Sequence, residues 1–460
     1  MPDLIYEPMY IVAGMLRRRE VSSSDLVEAA FGQVSLWSDQ LNPFLTETID
    51  AARAAAKDRD AELAGGTDRG PLHGIPIVLK DLFDTAGVRT TGGSAVYVDR
   101  VPQEDATVVR KLREAGALSI GKTGMPEFAE EPTSINPTFG PVRNPWNPAL
   151  DTAGSSSGTA AAIASGMAWC GPGSDTGGSI RMPSAACGLV GLKPTYGRVS
   201  LKGVLPLAAS LDHVGPMART VRDAALLMQA LAGFDPADPH SRDAPVPMYA
   251  ATLEDGVAGL RVACFSDDGG DPVPDDIMSG FRAGLRTLEA AGAVLEEVDL
   301  SFMRELNEDG ALYFAEVYDH YGSLLDDFAD QLSPYVREVL ERGREVTGSQ
   351  VMAERRSRDA KLHRVERTLR GYDLAVSPTL ALHPPAAGEA ELALVRLTSI
   401  WDQNGWPAIT VPVGLSPENN LPIGFQIIAR PWQELLLLRA ARVIEREHAL
   451  AFPPVALGSH

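Results

Sequence analysis

The apolar positions of the first sixty-odd residues recur with helical spacing. Ser22 to Asp25 forms a capping-box pattern, and apolar residues follow at every third or fourth position as far as Trp37. The alanine-rich residues 50–64 continue this pattern and end at two glycines, a typical helix stop. The sequence therefore predicts an N-terminal helical segment over residues 1–65, which packs on a larger unit formed by residues 66–460.

After residue 66, short apolar runs alternate with amphipathic segments. Residues 74–81 form an apolar run that ends in Lys80 and Asp81, which is typical of a buried strand. Residues 105–116 predict a helix, and residues 117–120 predict another strand. Further strand or helix patterns lie at residues 220–231, 259–300, 304–370, 372–378 and 407–412. This alternation predicts an α/β fold, with a sheet covered by helices on both faces.

Glycine, serine and alanine dominate residues 152–191. A flexible linker has this composition, but a linker would not contain large apolar residues such as Ile163, Trp169 and Leu189. We therefore expect a packed site in which small residues allow the backbone to approach closely.

Composition narrows the class of protein. The 460 residues carry a formal net charge of −20, with 45% hydrophobic and 22% charged residues, so a globular protein is expected and a nucleic-acid partner is not. No apolar run of membrane-spanning length occurs, so no membrane association is expected. The three cysteines, Cys170, Cys187 and Cys264, form no pairing motif, which favours a reducing, cytoplasmic location.

Several motif matches lie in the wrong context. Residues 116–123 match the phosphate-loop pattern, but a helix precedes them and the loop positions are strand-like. Ser156 is the centre of a G-x-S-x-G match that no apolar strand precedes, and Ser119 with Lys122 forms an S-x-x-K match inside a predicted strand. The eight histidines show no metal-ligand spacing, and Cys187 is interpreted as a buried structural thiol. No metal or cofactor is expected.

Residues 173–181, G-S-D-T-G-G-S-I-R, combine the features that acyl transfer needs. The Gly177-Gly178 pair frees backbone N–H groups to converge on an anion, and Ser179 follows as a hydroxyl nucleophile. Lys80, at the end of an apolar strand, is a candidate base because burial favours the neutral amine. Asp175 and Arg181 are expected to hold the loop.

At this point the chain resembles the amidase signature family of serine hydrolases. The matching segments are G-I-P-I-V-L-K-D at 74–81, A-G-A-L-S-I-G-K-T at 115–123, F-G-P-V-R-N-P-W at 139–146, A-G-S-S-S-G at 153–158, G-S-D-T-G-G-S-I-R at 173–181, C-G-L-V-G-L-K-P-T at 187–195 and S-L-D-H-V-G-P-M-A-R-T at 210–220. The resemblance implies a large mixed sheet flanked by helices, and residues 66–460 as the catalytic domain.

The same resemblance implies the roles of the site residues. Ser179 would be the nucleophile, Ser155 a bridging serine after a cis peptide bond, and Lys80 the base. Backbone N–H groups from Thr176, Gly177 and Gly178 to Ser179 would hold the oxyanion. Ala129 aligns with a position that lines the substrate channel in relatives.

The function expected is therefore hydrolysis of a C–N bond in a small amide through an acyl-enzyme, with ester or carbamate (urethane) hydrolysis as a side activity. Trp401 and Trp406 are predicted either to line a pocket for aryl or bulky groups or to pack in the core. Aromatic residues of the predicted 304–370 helices are assigned to the same pocket: Tyr313, Phe314, Tyr318 and Tyr321. A homodimer is left open.

Two other functions are weighed. The glutaminase module of glutaminyl-tRNA amidotransferase belongs to the same family, but it shows M-G-S-S-T-E-N where this chain has E-E-P-T-S-I-N at residues 130–136. A non-catalytic scaffold on the same fold is the third hypothesis, and an intact set of Lys80, Ser155 and Ser179 speaks against it.

Overall fold

The structure, a computed structural model, describes residues 2–266, 268–307, 310–452 and 454. Within these residues one sheet of eleven strands forms the centre of the molecule. The strands are β1 Phe44–Glu47, β2 Pro76–Lys80, β3 Leu118–Thr123, β4 Cys170–Asp175, β5 Val190–Lys193, β6 His213–Ala218, β7 Arg261–Cys264, β8 Val294–Glu297, β9 Leu374–Pro378, β10 Ala408–Leu415 and β11 Pro422–Ala429. Their order across the sheet is β1-β3-β2-β4-β6-β5-β10-β11-β9-β7-β8.

Helices flank this sheet. The α-helices are α1 Met9–Arg18, α2 Ser23–Leu41, α3 Ile49–Ala64, α4 Thr107–Glu114, α5 Ser157–Ala164, α6 Arg181–Ala186, α7 Val221–Leu231, α8 Asp275–Ala290, α9 Arg304–Asn307, α10 Ala311–Tyr321, α11 Leu324–Asp327, α12 Pro334–Glu345, α13 Gly348–Thr368, α14 Ile400–Gln403 and α15 Glu434–His448. Short 3₁₀ helices span Pro2–Tyr6, Glu127–Ala129, Ser301–Met303, Ala329–Gln331 and Leu392–Leu397. No helix among the described residues combines the length and the apolar character that a membrane span requires.

The sheet is mixed. Strand β2 runs parallel to β3 and β4, and β7 runs parallel to β8 and β9, whereas the other neighbours are antiparallel. The predicted α/β fold with a large, helix-flanked mixed sheet is confirmed. The capping box at Ser22 is also confirmed, since its side chain accepts from the Asp25 N–H and Asp25 accepts from the Ser22 N–H.

The segment rich in small residues is packed and not a linker. Residues 152–191 contain α5, β4, α6 and part of β5, and every one of them except Gly177 is buried. A Cβ added to Gly154 would lie 2.3 Å from the Thr133 carbonyl oxygen, and one added to Gly158 would lie 2.4 Å from that of Pro43. Only glycine fits at these two positions, as the expectation of close backbone approach requires.

The register between β2 and β3 decides where two lysines point. Leu79 pairs with Lys122, and Lys80 pairs with Thr123. Because successive side chains of a strand point to opposite faces, Lys80 and Lys122 lie on opposite faces of the sheet. Strand β4 runs parallel to β2, so the loop that follows β4 begins at the same edge of the sheet as Lys80.

Candidate active site

Lys80 is fully buried at the end of β2. Its Nζ lies 2.8 Å from Ser155 Oγ and 2.8 Å from Ser174 Oγ. No carboxylate of the described residues forms an ion pair with this amine, so burial dominates and lowers the pKa of Lys80 to about 7, against the smaller raising effects of Asp175 and Asp212. A large share of the amine is therefore neutral at physiological pH and able to accept a proton.

Ser155 precedes α5 and is also fully buried. The Gly154–Ser155 peptide bond is cis, as the resemblance implies. The two following serines have other contacts: Ser156 Oγ donates to the Ser174 carbonyl oxygen at 3.2 Å, and Ser157 Oγ donates to the Ala153 carbonyl oxygen at 2.9 Å. Of the three consecutive serines, only Ser155 bonds to Lys80.

Ser179 lies in the loop between the end of β4 and the start of α6 at Arg181. Its carbonyl oxygen accepts from the Ser156 N–H at 3.2 Å, which joins this loop to the serine segment. No hydrogen bond joins Ser155 Oγ and Ser179 Oγ, although both residues are described. The side chains meet one condition for a relay, namely a direct Lys80–Ser155 contact, and lack the second contact in the empty site.

Backbone donors surround Ser179. Between Thr176 and Ser179, none of the four N–H groups has an acceptor among the described residues. Gly178 has φ +135°, and a Cβ there would lie 2.3 Å from Thr398 Oγ1, so the loop requires glycine at this position. Free, consecutive N–H groups of this kind form an anion-binding nest.

A buried ionic network holds this loop from below. The Arg181 guanidinium donates to Asp175 at 2.8 Å and to Asp402 at 2.6 Å, and to Gln426 Oε1 at 2.8 Å. The Ile180 N–H also donates to Asp175 Oδ2 at 3.0 Å. Arg181 holds the pKa of the Asp175 carboxyl well below its usual range, so the loop is tied to a charged partner that stays ionised.

A cavity of about 370 Å³ opens above Ser179. Its wall is largely apolar and aromatic. The lining residues include Met182, Leu207, Leu211, Tyr313, Phe314, Tyr335, Leu392 and Val395. The polar part of the wall includes Thr176, Glu130, Glu131 and Arg342.

The structure brings most of the predicted site residues together. Ser179, Thr176, Gly177 and Ala129 all line the cavity, and Lys80 with Ser155 lies buried behind them. Gly178 belongs to the same loop, although the cavity lining does not include it.

The prediction that Trp401 and Trp406 line the pocket is wrong. Both are buried in a separate apolar cluster with Phe265 and Ile428, where Trp401 Nε1 donates to the Leu397 carbonyl oxygen at 3.1 Å. Packing, the alternative left open, is what the structure shows.

The aromatic residues of α10 are divided. Tyr313 and Phe314 line the cavity, as predicted, whereas Tyr318 does not. Tyr321 is buried against the ring of Phe128, with 4.2 Å between the ring centroids, and its hydroxyl donates to the Pro206 carbonyl oxygen at 2.6 Å. One turn of the helix therefore contributes to the cavity and the next turn to the core.

Three contacts at the site were not predicted. Ser174 bonds to Lys80, Thr176 Oγ1 donates to Asp212 Oδ1 at 2.6 Å, and the Tyr313 hydroxyl donates to Glu130 Oε2. Ser174 and Asp212 both belong to segments that match the family, which was the available signal. Glu130 carried no signal, because its burial depends on helix α10, far away in the chain.

The residues interpreted as accidental matches lie outside the relay. Lys122 is inside β3 on the opposite face from Lys80, and no helix begins after it as a phosphate loop requires. Burial raises the pKa of the Cys187 thiol well above its usual value, which makes it a poor nucleophile. Among the described residues, Asp276, His383 and Glu418 bring potential metal-ligand atoms within 4.8 Å of one another, and none of the three lines the cavity.

Comparisons with known proteins now identify the family. The model of the amidase family, described as "Amidase", matches residues 25–438. The chain belongs to the amidase family. It is an enzyme that acts on C–N bonds.

The relatives of this amidase cover nearly its whole length. It is 38% identical over 463 residues to the A-type subunit of the glutamyl-tRNA(Gln) amidotransferase of Anaeromyxobacter sp. (strain K), a match that covers 93% of this chain and 94% of that protein. Among solved structures, a bacterial aryl acylamidase of the amidase signature family is similar with a TM-score of 0.91 at 25% identity, covering 99% of both chains. The peptide amidase PAM, solved in complex with the competitive inhibitor chymostatin, is similar with a TM-score of 0.88 at 28% identity, covering 98% of this chain and 99% of that one.

Proposed function

We propose that this amidase hydrolyses small amides with aryl or other bulky apolar groups, through an acyl-enzyme on Ser179. One observation carries the proposal: the buried Lys80–Ser155 pair, 2.8 Å apart, lies behind Ser179 where that residue lines a largely apolar cavity. An apolar wall stabilises an apolar substrate by about 25 cal/mol for each Å² that it buries. Esters and carbamates present the same carbonyl carbon to the nucleophile, so they are the expected side substrates.

The roles follow from the geometry. Neutral Lys80 accepts the proton of Ser155 while Ser155 accepts that of Ser179, and Ser179 Oγ attacks the carbonyl carbon. The N–H groups from Thr176 to Ser179 stabilise the oxyanion, and the relay returns the proton to the leaving nitrogen. Water then hydrolyses the ester bond to Ser179. Catalytic hydrogen bonds are often long in an empty site, so the contact between Ser155 Oγ and Ser179 Oγ is expected to form with substrate bound.

A reaction with a fluorophosphonate probe tests the nucleophile. The probe forms a covalent bond with an activated serine, and peptide mapping identifies the residue. Labelling of Ser179, lost on heat unfolding, is expected for an enzyme. Absence of labelling in the folded protein would favour the scaffold hypothesis.

A glutaminase within an amidotransferase is the second candidate, since the curated relative named above belongs to a glutamyl-tRNA(Gln) amidotransferase. Two features favour a different substrate. Glu130 and Glu131 occupy the place of M-G in the amidotransferase pattern, and the cavity wall is mostly apolar. A panel of an anilide, an aliphatic amide, an ester, a carbamate and glutamine separates the two candidates. We expect kcat/KM for the anilide to exceed that for glutamine at least tenfold, and the opposite order would support the amidotransferase function.

A further inference from the structure

One wall of the cavity holds a carboxyl group that the proposed reaction does not use. Glu130 lines the cavity, and its residue is 5% exposed. The Tyr313 hydroxyl donates to Oε2, but Oε1 is buried and has no hydrogen-bond partner among the described residues. A buried carboxylate oxygen without a donor is costly, so an orphan of this kind at a ligand cavity indicates a donor that arrives with the ligand.

The charges around Glu130 show what that donor must be. Burial raises the pKa of Glu130 to about 8, Glu131 and Asp212 raise it further as like charges, and the hydrogen bond from Tyr313 opposes them. No cation among the described residues forms an ion pair with Glu130. Arg342, on the same cavity wall, lies over the Phe314 ring with 4.0 Å to its centroid. The wall at Glu130 is thus an acidic position that lacks a positive partner.

We propose that Glu130 is a specificity-determining residue that binds a protonated amine, so that the preferred substrates of this amidase carry a primary amine on an apolar body. The inference rests on the proposed function, because it names the substrate class for the same cavity. The ammonium group supplies the N–H donor that Oε1 lacks and the positive charge that the wall lacks. The apolar body contacts Phe314, Leu211 and the other hydrophobic lining residues.

Binding of this kind has a defined pH dependence. The ammonium group binds the ionised carboxyl, and Glu130 in the empty cavity is mostly protonated below pH 8 because its pKa is about 8. Affinity for an alkylamine therefore rises as pH rises from 6 to 8, whereas affinity for the matching alcohol stays constant. Tyr313, Glu131, Asp212, Tyr335 and Arg342 are the other titratable or charged groups near this carboxyl, and the alcohol serves as the reference for their titration.

The experiment measures binding, not turnover. Ser179→Ala protein is titrated by calorimetry with benzylamine and benzyl alcohol, and with 4-phenylbutylamine and 4-phenylbutanol, at pH 6 and pH 8. Alkylamines of this kind stay protonated at both values. At pH 8 we expect the amine of at least one pair to bind about tenfold more tightly than its alcohol, with a smaller preference at pH 6.

Two further variants locate the effect. Glu130→Gln, made on the Ser179→Ala background, should reduce the amine preference to less than about twofold. Glu131→Gln removes the same charge from the next residue, whose carboxylate accepts only a long hydrogen bond from Thr133 at 3.4 Å, and should keep most of the preference. Thermal unfolding of each variant checks that it is folded, and the pH series on the unaltered cavity needs no variant at Glu130.

The proposal is overturned if the amines bind no better than the alcohols at either length at pH 8. It is also overturned if the preference survives in Glu130→Gln, or is lost equally in Glu131→Gln. Failure of the proposed function is a different result: wild-type protein that hydrolyses no amide in the substrate panel, whatever the calorimetry shows.

Discussion

Lys80 and Lys122 are two buried lysines near the ends of neighbouring parallel strands, yet their surroundings differ. Both are 0% exposed, and burial lowers the pKa of Lys80 to about 7 and that of Lys122 to about 8. Lys80 contacts two hydroxyl groups, Ser155 and Ser174. Lys122 donates to the Phe83 carbonyl oxygen at 2.6 Å and to a threonine hydroxyl, and it lies 3.8 Å from the carboxylate of Asp81.

The difference teaches that burial and a lowered pKa do not by themselves make a base. Lys122 is held by a fixed carbonyl acceptor and a carboxylate, which are satisfied by a protonated amine. Lys80 has only hydroxyl partners, and a hydroxyl can either accept from the amine or donate to it. One of these hydroxyls leads to Ser179 and the cavity, so the register of two strands separates a chemical lysine from a structural one.

The largest expected effect is on the serines that the Lys80 face supplies. Ser179→Ala should lower kcat by at least about 10⁴-fold, because the nucleophile is lost, with little change in thermal stability. Ser156→Ala is the matched control, since its hydroxyl bonds to backbone groups of Ser174 and not to Lys80. It should retain kcat within about tenfold. A Ser179→Ala protein with a tenth of the wild-type kcat would remove this residue from the mechanism.

The second prediction exchanges each lysine for methionine. Lys80→Met should lower kcat/KM by about 10³-fold, as expected for loss of a general base, and should change the free energy of unfolding by about 1 kcal/mol or less. Lys122→Met should lower the free energy of unfolding by about 3 kcal/mol, because Asp81 loses its buried partner. The kcat of its folded fraction should stay within about threefold of wild type.

Lys80→Arg completes this test. A guanidinium group stays protonated and cannot accept the Ser155 proton, so the variant should be as inactive as Lys80→Met. Chemical denaturation and kcat/KM are measured on the same preparations. An active arginine variant, or equal loss of kcat in the two methionine variants, would show that the two faces of the sheet do not divide the roles as described.

Much of this arrangement could be predicted from the sequence, for reasons that particular residues show. The apolar run ending in Lys80 is a strand because nearly every residue is buried, and β2 occupies Pro76–Lys80 within the predicted range. Gly177 and Gly178 signal an unusual loop at short range. Such local patterns determine local structure without help from distant residues.

Other features depend on partners far away in the chain. Strands β4 and β6 contain glycine and proline, which disfavour strands, and they pair with each other over all six positions because the surrounding sheet buries them. The placement of Trp401 in a core cluster and the burial of Glu130 also depend on tertiary packing. Residue type alone could not distinguish an aromatic residue of the cavity from one of the core.

The third prediction uses pH to distinguish the two lysines. The neutral form of Lys80 is the active one, so kcat/KM for an uncharged amide should rise with pH through about 7 and level off above about 8. At one pH unit below the midpoint, about a tenth of the plateau is expected. The sign follows because protonation at low pH removes the acceptor.

Lys122→Met serves as the control for this profile. If Lys122 does not take part in the reaction, the midpoint stays near 7 in this variant, measured under conditions where it is folded. A midpoint that moves with Lys122, or a rate that falls with rising pH, would contradict the assignment of the base.

The smallest expected effect concerns the cavity that only the Lys80 face reaches. A phenyl group on the acyl side would bury about 100 Å² against the wall, which corresponds to about 2.5 kcal/mol and a ten- to hundredfold gain in kcat/KM. Phenylacetyl and acetyl p-nitroanilides have the same leaving group, so their ratio measures acyl size alone. Phe314→Ala, in the cavity wall, should reduce this ratio several-fold, whereas Trp406→Phe, in the separate core cluster, should leave it unchanged. Equal rates for the two anilides in wild-type protein, or a ratio that follows Trp406 and not Phe314, would place the acyl group outside this cavity.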